Sequence, residues 1–215
     1  PMQESLAAAC LMAAHWPKKA AEGQHFVAPM CGSGTLAIEA ALMGLNRAPG
    51  ILRDNFGFMH LTGYDPDAWQ TLRDEASKVR AKGIEGSIIA TDHDPEAIEA
   101  ARHNARAAGV EHVIEFDVCD FSETDVPEGP GLVMLNPEYG RRLGDEKALE
   151  PVYSAIGDFF KQSCRGYWGY IFTGNLVLAK KVGLRTTRRI PFFNAKIECR
   201  LLEYEMYSGT RKQRT

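Results

Sequence analysis

The chain has 215 residues, of which 45% are apolar and 25% charged, as in an ordinary globular protein. No apolar run reaches the roughly 18 residues that a membrane-spanning helix needs, and no signal segment opens the chain. We therefore expect one compact domain over residues 1–215 and exclude an integral membrane protein. Because the chain opens at Pro1 rather than at Met, we also expect a longer parent protein.

The cysteines and the charges indicate a compartment and a partner. The five cysteines have no C-x-x-C spacing and their number is odd, which argues against a disulfide framework or a metal site and favours the reducing cytoplasm. Residues 1–140 carry 10 Lys and Arg against 21 Asp and Glu, whereas residues 141–215 carry 15 against 7. This asymmetry predicts either a basic face for nucleic acid or scattered surface charge.

Short apolar runs alternate with amphipathic stretches along the chain. The apolar runs predict strands at 25–28, 87–92, 113–116, 132–135, 167–172, 186–193 and 196–206. Helices are predicted at 2–15, 33–45, 67–82, 95–108, 148–163 and 176–182. The alternation predicts a mostly parallel sheet covered on both faces, closed by an antiparallel hairpin that turns at Asn194-Ala195. In such a sheet, ligands bind beyond the carboxyl ends of the strands.

A glycine-containing loop follows the first predicted strand, with the sequence Pro29-Met30-Cys31-Gly32-Ser33-Gly34-Thr35. Its two glycines let the backbone approach a ligand closely before a helix begins. The pattern also fits a loose dinucleotide fingerprint. A tight turn from strand to helix with no ligand remains the alternative.

Acidic residues end the second and third predicted strands. In Thr91-Asp92-His93-Asp94-Pro95, we predict that Asp92 binds a ribose diol and that Asp94 mainly caps the following helix. After the third strand, Asp120 can accept from an adenine amine while Phe121 packs on the base. An exposed loop acid beside a core phenylalanine would produce the same pattern.

The fourth predicted strand runs into Asn136-Pro137-Glu138-Tyr139-Gly140. The Asn136 amide oxygen and the Pro137 carbonyl oxygen are two acceptors that could hold both hydrogens of one amine. Tyr139 offers a flat ring for stacking on a base. The alternative is a simple Asn-Pro turn.

These strings resemble a known family. The loop 29–35 with Ile38-Glu39-Ala40-Ala41 resembles motif I of class I methyltransferases, and 136–144 resembles the Asn-Pro-Pro-Tyr motif of ribosomal RNA (23S) guanine-N2 methyltransferases. Residues 1–9, 63–69 and 194–204 are also similar, so the resemblance covers nearly the whole chain. It implies a Rossmann-like fold with a seven-stranded, mostly parallel sheet and a C-terminal antiparallel hairpin. It also implies that an N-terminal RNA-binding THUMP domain precedes this domain.

The resemblance further implies the cofactor S-adenosylmethionine and a ribosomal RNA substrate. The residues that it assigns to the cofactor are Pro29, Met30, Cys31, Gly32, Gly34, Thr35, Asp92, His93, Asp120, Phe121 and Asn136. Those assigned to the target base are Asn136, Pro137, Glu138 and Tyr139, with Tyr139 stacking on a flipped base. No metal is expected, and the sulfonium supplies the driving force, so the protein mainly positions groups.

Three departures from the family pattern bear on activity. Ala28 stands where the family has Asp, Glu138 replaces the second proline of the signature, and Arg141 stands where the family often has an acid. Two alternatives therefore stay open beside guanine-N2 methylation: adenine-N6 methylation of DNA, and a catalytically weak RNA-binding relative. A nicotinamide oxidoreductase is disfavoured because Asp92 lies 58 residues after Gly34, whereas such enzymes place this acid about 20 residues on.

Basic residues near the end of the chain are candidate contacts to RNA phosphates. They are Lys180, Lys181, Arg185, Arg188, Arg189 and the tail Arg211-Lys212-Gln213-Arg214.

Overall fold

A computed structural model describes residues 2–140 and 145–207. Its seven strands are β1 (His25–Pro29), β2 (Ile88–Asp92), β3 (Glu115–Val118), β4 (Gly131–Leu135), β5 (Trp168–Thr173), β6 (Arg188–Asn194) and β7 (Ile197–Glu205). They form one sheet in the order β3-β2-β1-β4-β5-β7-β6. Strands β1 to β5 pair in parallel, and β7 runs antiparallel to both β5 and β6. The predicted fold class is confirmed.

The described residues form seven α-helices. They are α1 (Glu4–Ala13), α2 (Trp16–Ala21), α3 (Thr35–Gly44), α4 (Pro66–Lys78), α5 (Pro95–Ala107), α6 (Asp145–Ser163) and α7 (Leu176–Ala179). Helices α1, α2, α3 and α5 pack on one face, whereas α6 and α7 pack on the other. Helix α4 buries none of its side chains and lies outside both cores.

The central strands are mostly apolar because they are buried on both faces, and this is why the sequence predicts them well. All five residues of β2 and of β4 are buried. The order of the sheet reverses between β1 and β4, where the chain leaves one half of the sheet for the other. Their carboxyl ends therefore form the crevice in which such sheets bind ligands.

Three predicted elements are corrected by the structure. The predicted helix 2–15 stops at Ala13, and His15 takes a left-handed conformation (φ 58°) before α2 begins. The predicted strand 113–116 is β3 at Glu115–Val118, because Val113 ends a short 3-10 helix. The hairpin turns at Ala195-Lys196 rather than at Asn194-Ala195, since Asn194 still pairs with Ile197 and Ala195 carries the positive φ of 54°.

Candidate active site at the carboxyl ends of the strands

The loop after β1 is held against the end of β2. The Gly32 N–H donates to Asp92 Oδ2 at 2.9 Å, and the Cys31 N–H donates to the Thr91 carbonyl at 2.8 Å. Asp92 is only 8% exposed. The structure thus brings together the glycine loop and the acid that sequence analysis assigned to one ligand site.

The backbone of this loop needs its glycines for two different reasons. A Cβ on Gly34 would lie 2.9 Å from the Ala101 Cβ of α5, so a side chain there would displace the helix. Gly32 has open space where a Cβ would lie, but it takes a positive φ of 53°, a left-handed conformation that glycine adopts without strain. Met30 also takes a positive φ of 60° without being glycine, a strained conformation that is common at functional sites.

The residues at the two ends of this loop belong to the neighbouring strand and helix, which fix its position. Pro29 ends β1 and pairs with Thr91, while Thr35 is the first residue of α3, whose N-cap is Gly34. Gly34 has no side chain with which to cap the helix. The first turn of α3 therefore points towards the crevice with the amide donors that favour polar or anionic ligand groups.

The Cys31 thiol lies within the loop but is not a nucleophile. Burial, and secondarily the charge of Asp92, raises the pKa of Cys31 to about 12. At neutral pH this side chain is a thiol, which is not the reactive form.

The two acids at the end of β2 make different contacts. The Asp94 side chain accepts from the Glu96 N–H at 2.9 Å and caps α5, which confirms the assignment of Asp94 to the cap. Asp92 instead faces the glycine loop, and its Oδ1 accepts from the Asp94 N–H at 3.1 Å. His93 Nδ1 lies 3.4 Å from Asp92 Oδ1 with 79% of its side chain exposed, so His93 lies on the rim of the site.

Asp120 and Phe121 follow β3. Asp120 Oδ1 accepts from the hydroxyl and the N–H of Ser122, at 2.5 and 2.9 Å. These hydrogen bonds, hydroxyl first, lower the pKa of Asp120, which keeps it ionised as an acceptor. Phe121 is 9% exposed and packs edge to face on Phe159 of α6. Phe121 is therefore part of the core, and its contact with an adenine stays a prediction.

The turn Asn136–Tyr139 begins directly after the buried strand β4. Asn136 is half-buried, Pro137 is buried and Glu138 is exposed. Because β4 lies beside β1 in the sheet, this turn and the glycine loop end on the same edge. The predicted acceptors for an amine are thereby placed beside the predicted cofactor loop.

Tyr139 is fixed on several sides. The Asn175 Nδ2 donates to the Tyr139 carbonyl at 3.3 Å, and the Asn194 Nδ2 donates to the Tyr139 hydroxyl at 3.2 Å. The ring lies over Gly174, where a Cβ would be 3.2 Å from two ring carbons. The end of β5 and the turn of the hairpin together set the orientation of this ring.

Sequence analysis missed Asn175, which hydrogen-bonds to several residues around the turn predicted to hold the target base. Besides Tyr139, its Nδ2 donates to Glu146 Oε1 at 2.7 Å, and its Oδ1 accepts from the N–H groups of Val177 and Leu178. Its own N–H donates to Thr173 Oγ1. The signal was present, because Gly174-Asn175 follows a buried strand as the other site residues do.

A cavity of about 730 Å³ opens beside this turn. Its wall combines residues from the ends of β4 and β5, the start of α6 and α7, and the start of β7. They are Tyr139, Gly140, Glu146, Thr173, Gly174, Asn175, Leu176, Val177, Ile197, Glu198 and Arg200.

The departures from the family pattern lie in different surroundings. Ala28 is fully buried in β1 and pairs with Ala90 of β2. Glu138 is exposed, so its charge can be solvated. Arg141, Arg142, Leu143 and Gly144 lie outside the described residues.

The predicted phosphate contacts do not lie together at this edge. Arg188 and Arg189 begin β6, which runs parallel to β5, so they lie near the amino end of the parallel strands. Arg188 forms an ion pair with Glu203, and Lys181 forms one with Glu150 at 2.8 Å. Lys180 and Arg185 are exposed, and the tail 211–214 lies outside the described residues.

Within residues 2–140 and 145–207, no helix has the length and apolar character needed to cross a membrane. The same residues contain no cluster of three or more His, Cys, Asp or Glu side chains placed to hold a metal ion.

Comparison with known proteins gives a consistent result. The family model described as UPF0020, RMKL-like methyltransferase domain, matches residues 1–203. The "Ribosomal RNA large subunit methyltransferase K/L" of Chromohalobacter salexigens is 41% identical over 208 residues, which is 94% of this chain and 28% of that protein. The chain thus spans less than a third of the length of this relative.

Solved structures match over almost the whole chain. SMU.472, a provisionally named methyltransferase complexed with S-adenosylhomocysteine (SAH), is 30% identical to this chain with a TM-score of 0.86. The match covers 99% of this chain and 54% of that one. A protein from Listeria monocytogenes, named as a predicted N6-adenine-specific DNA methylase, is 29% identical with a TM-score of 0.81. That match covers 96% of this chain and 52% of the other.

Proposed function

Because this chain belongs to the UPF0020 family of RMKL-like methyltransferase domains, we propose that it methylates the exocyclic N2 amine of guanine in RNA, with S-adenosylmethionine as methyl donor. Large-subunit ribosomal RNA is the expected substrate. One observation carries the proposal: the Asn136–Tyr139 turn ends β4 beside the glycine loop that ends β1. The proposed amine acceptors and the proposed cofactor loop therefore both follow strands at the switch point of the sheet, where such sheets bind ligands.

The residues after β1, β2 and β3 fit the proposed cofactor. Gly32 leaves open space above its backbone, and the start of α3 supplies amide donors for the methionine carboxylate. Asp92 has four lone-pair sites, of which the loop and Asp94 use two, so it can also accept from a ribose diol. Asp120 is ionised and suits an adenine amine. The cofactor when bound supplies an electrophilic methyl group on a sulfonium.

The turn after β4 suits the target amine. Asn136 Oδ1 and the Pro137 carbonyl can each accept one hydrogen of an exocyclic amine, which aims the nitrogen lone pair at the methyl group. Tyr139, fixed by Asn175 and Asn194, can stack on a base taken out of its helix. Catalysis on this account is positioning, and no strong general base is needed.

Names of relatives support the choice of RNA, since the similar curated proteins from Chromohalobacter and Allochromatium act on large-subunit ribosomal RNA by name. They are more than three times as long as this chain, so part of their RNA affinity can reside elsewhere. Five free cysteines support a cytoplasmic location.

The test has two stages. Calorimetric titration with S-adenosylmethionine and S-adenosylhomocysteine (SAH) should show micromolar binding, which would mean that Ala28 is tolerated. Incubation with unmodified large-subunit RNA and labelled cofactor, followed by digestion to nucleosides, should then yield N2-methylguanosine. Binding of RNA without binding of either cofactor form would instead indicate a non-catalytic relative.

Adenine-N6 methylation is the second candidate, and the likeness to the Listeria protein favours it. The two acceptors of the Asn136–Tyr139 turn would hold an adenine amine equally well. N6-methyladenosine in the same digest, from RNA or from DNA, would overturn the guanine assignment.

A further inference from the structure

The cavity beside Tyr139 has polar groups of opposite kinds on its wall. Glu146, in the first turn of α6, presents a carboxylate, and Arg200 of β7 presents a guanidinium. At about 730 Å³, the cavity falls in the range of small-ligand sites and has room for a nucleotide. It adjoins the ring that is proposed to stack on the target base.

Glu146 is exposed, and a hydrogen bond orients its carboxylate. Its Oε1 accepts from the Asn175 Nδ2 at 2.7 Å. The same Nδ2 group donates to the Tyr139 carbonyl, so one amide fixes both the acid and the catalytic turn. This hydrogen bond leaves Oε2 of Glu146 to accept from a ligand.

Arg200 is also ordered, and it keeps unused donors. Its Nη1 donates to the Cys199 carbonyl at 3.0 Å, and its Nη2 donates to Glu198 Oε1 at 2.7 Å. Its side chain is 25% exposed. A guanidinium carries five N–H groups, so donors remain for an oxygen in the cavity.

We propose that this cavity selects guanine, with Glu146 accepting from guanine N1–H and Arg200 donating to guanine O6. The proposal rests on the proposed function, because it concerns the target base of that reaction. Guanine presents a donor at N1 and an acceptor at position 6, and adenine presents the reverse. A carboxylate facing N1 of adenine would meet a lone pair, which excludes adenine from the same pose.

Glu146→Gln is the decisive variant because Asn175 dictates how the new amide lies. The Asn175 donor holds the Gln oxygen, which turns the Gln NH₂ group towards the base and into conflict with guanine N1–H. We expect kcat/KM for N2-methylguanosine formation on unmodified large-subunit RNA to fall by about 10- to 100-fold, as for loss of one base-reading contact. The affinity for SAH should stay within about twofold.

Glu150→Gln is the matched control, since Glu150 lies one turn further along α6, pairs with Lys181 and does not line the cavity. It removes the same charge from the same helix and should leave kcat/KM unchanged. A Glu146→Gln protein as active as the wild type would overturn the inference while the proposed function stood. Formation of N6-methyladenosine by the wild type would instead defeat the proposed function itself.

A second readout needs neither activity nor long RNA. In the presence of SAH, inosine and adenosine monophosphates are titrated into the wild-type chain and followed by NMR. Inosine keeps N1–H and O6 but lacks the N2 amine, so it should bind at least tenfold more tightly than adenosine. Equal affinities would overturn the proposal, and this comparison decides the matter if Glu146→Gln also loses SAH affinity.

Discussion

At the scale of single residues, Asp92 and Asp94 lie two positions apart but have different contacts and different predicted roles. Asp92 is buried against the glycine loop, whereas Asp94 is exposed and caps α5. Asp92→Ala should weaken SAH binding by tenfold or more, because it removes both the proposed ribose acceptor and the anchor of Gly32. Calorimetry measures this change directly.

Asp94→Ala provides the comparison for Asp92→Ala. Loss of the cap should lower the free energy of unfolding by about 1 kcal/mol, as followed by urea denaturation. The affinity for SAH should stay close to that of the wild type. A similar loss of affinity in both variants would mean that Asp92 acts only through stability.

The strand-end residues were predictable because each follows an apolar run, and parallel strands bring their carboxyl ends to one edge. Asp92, Asp94 and Asn136 are placed by that rule alone. The exact surroundings were not predictable. The core position of Phe121 depends on the packing of α6, and the link from Asn194 to Tyr139 depends on the register of the hairpin.

At the scale of elements, Asn175 joins the end of β5 to the turn after β4. Asn175→Asp keeps the oxygen that caps α7 but replaces the Nδ2 donor by an oxygen facing the Tyr139 carbonyl and Glu146. We expect kcat to fall by tenfold or more with SAH affinity unchanged, because the change disturbs only the residues around the proposed target base. Steady-state kinetics and calorimetry separate the two quantities.

Asn46→Asp is the control for the Asn175 variant. Asn46 Nδ2 donates to the Val79 carbonyl at 3.0 Å after the end of α3, remote from the carboxyl ends of the strands. The same chemical change there should leave kcat intact. If Asn175→Asp were equally active, the turn after β4 would not depend on this amide.

An ion pair between Arg188 of β6 and Glu203 of β7, joined by the Tyr170 hydroxyl of β5, makes stability depend on pH. Burial acts to raise the pKa of Glu203, but hydrogen bonds from Arg188 and Tyr170 outweigh it and place the pKa below its ordinary value of 4.5. The carboxylate therefore contributes stability that is fully present above pH 4.5 and is lost as the pH falls through the lower folded-state pKa.

Arg188→Met should expose this dependence. It leaves the Glu203 carboxylate buried without its cation, at a cost of about 2 kcal/mol at pH 7, reduced from the fully buried case because Arg188 is partly exposed. The cost should shrink as the pH falls, because without Arg188 burial raises the pKa of Glu203 in the variant and the buried carboxylate is neutralised by protonation. Urea unfolding at several pH values measures this cost. Arg189→Met is the control: Arg189 Nε donates to the Thr186 hydroxyl, and its loss should lower the free energy of unfolding by less than about 0.5 kcal/mol.

Among the elements, the central strands were easier to predict than the edges. Strand β4 is a continuous apolar run and β2 is apolar up to Ala90, because both faces of these strands are covered. In the edge strand β3 only Phe116 is buried. The strand was therefore predicted two residues too early, at the apolar pair Val113-Ile114. The break at His15 carries no glycine, but Pro17 lies in the first turn of α2, where proline starts a helix and cannot continue one, so the local sequence did mark this boundary.

At the scale of the whole molecule, the basic C-terminal third predicts RNA binding that depends on salt. Each phosphate contact should contribute about −0.7 to −0.9 to the slope of log affinity against log salt. Lys180→Ala and Arg185→Ala should each make the slope shallower by about one if these residues contact phosphates. Fluorescence anisotropy between 50 and 200 mM salt measures this, and a flat response would remove these residues from the RNA surface.

The reversal of strand order between β1 and β4 separates the proposed cofactor site from the proposed base site, one on each half of the sheet. The ends of β1, β2 and β3 face the proposed cofactor, whereas the ends of β4 and β5 with the β7 hairpin surround the proposed target base. Substitutions in the second half can therefore retune which nucleobase is accepted while the methyl-donor machinery is inherited intact.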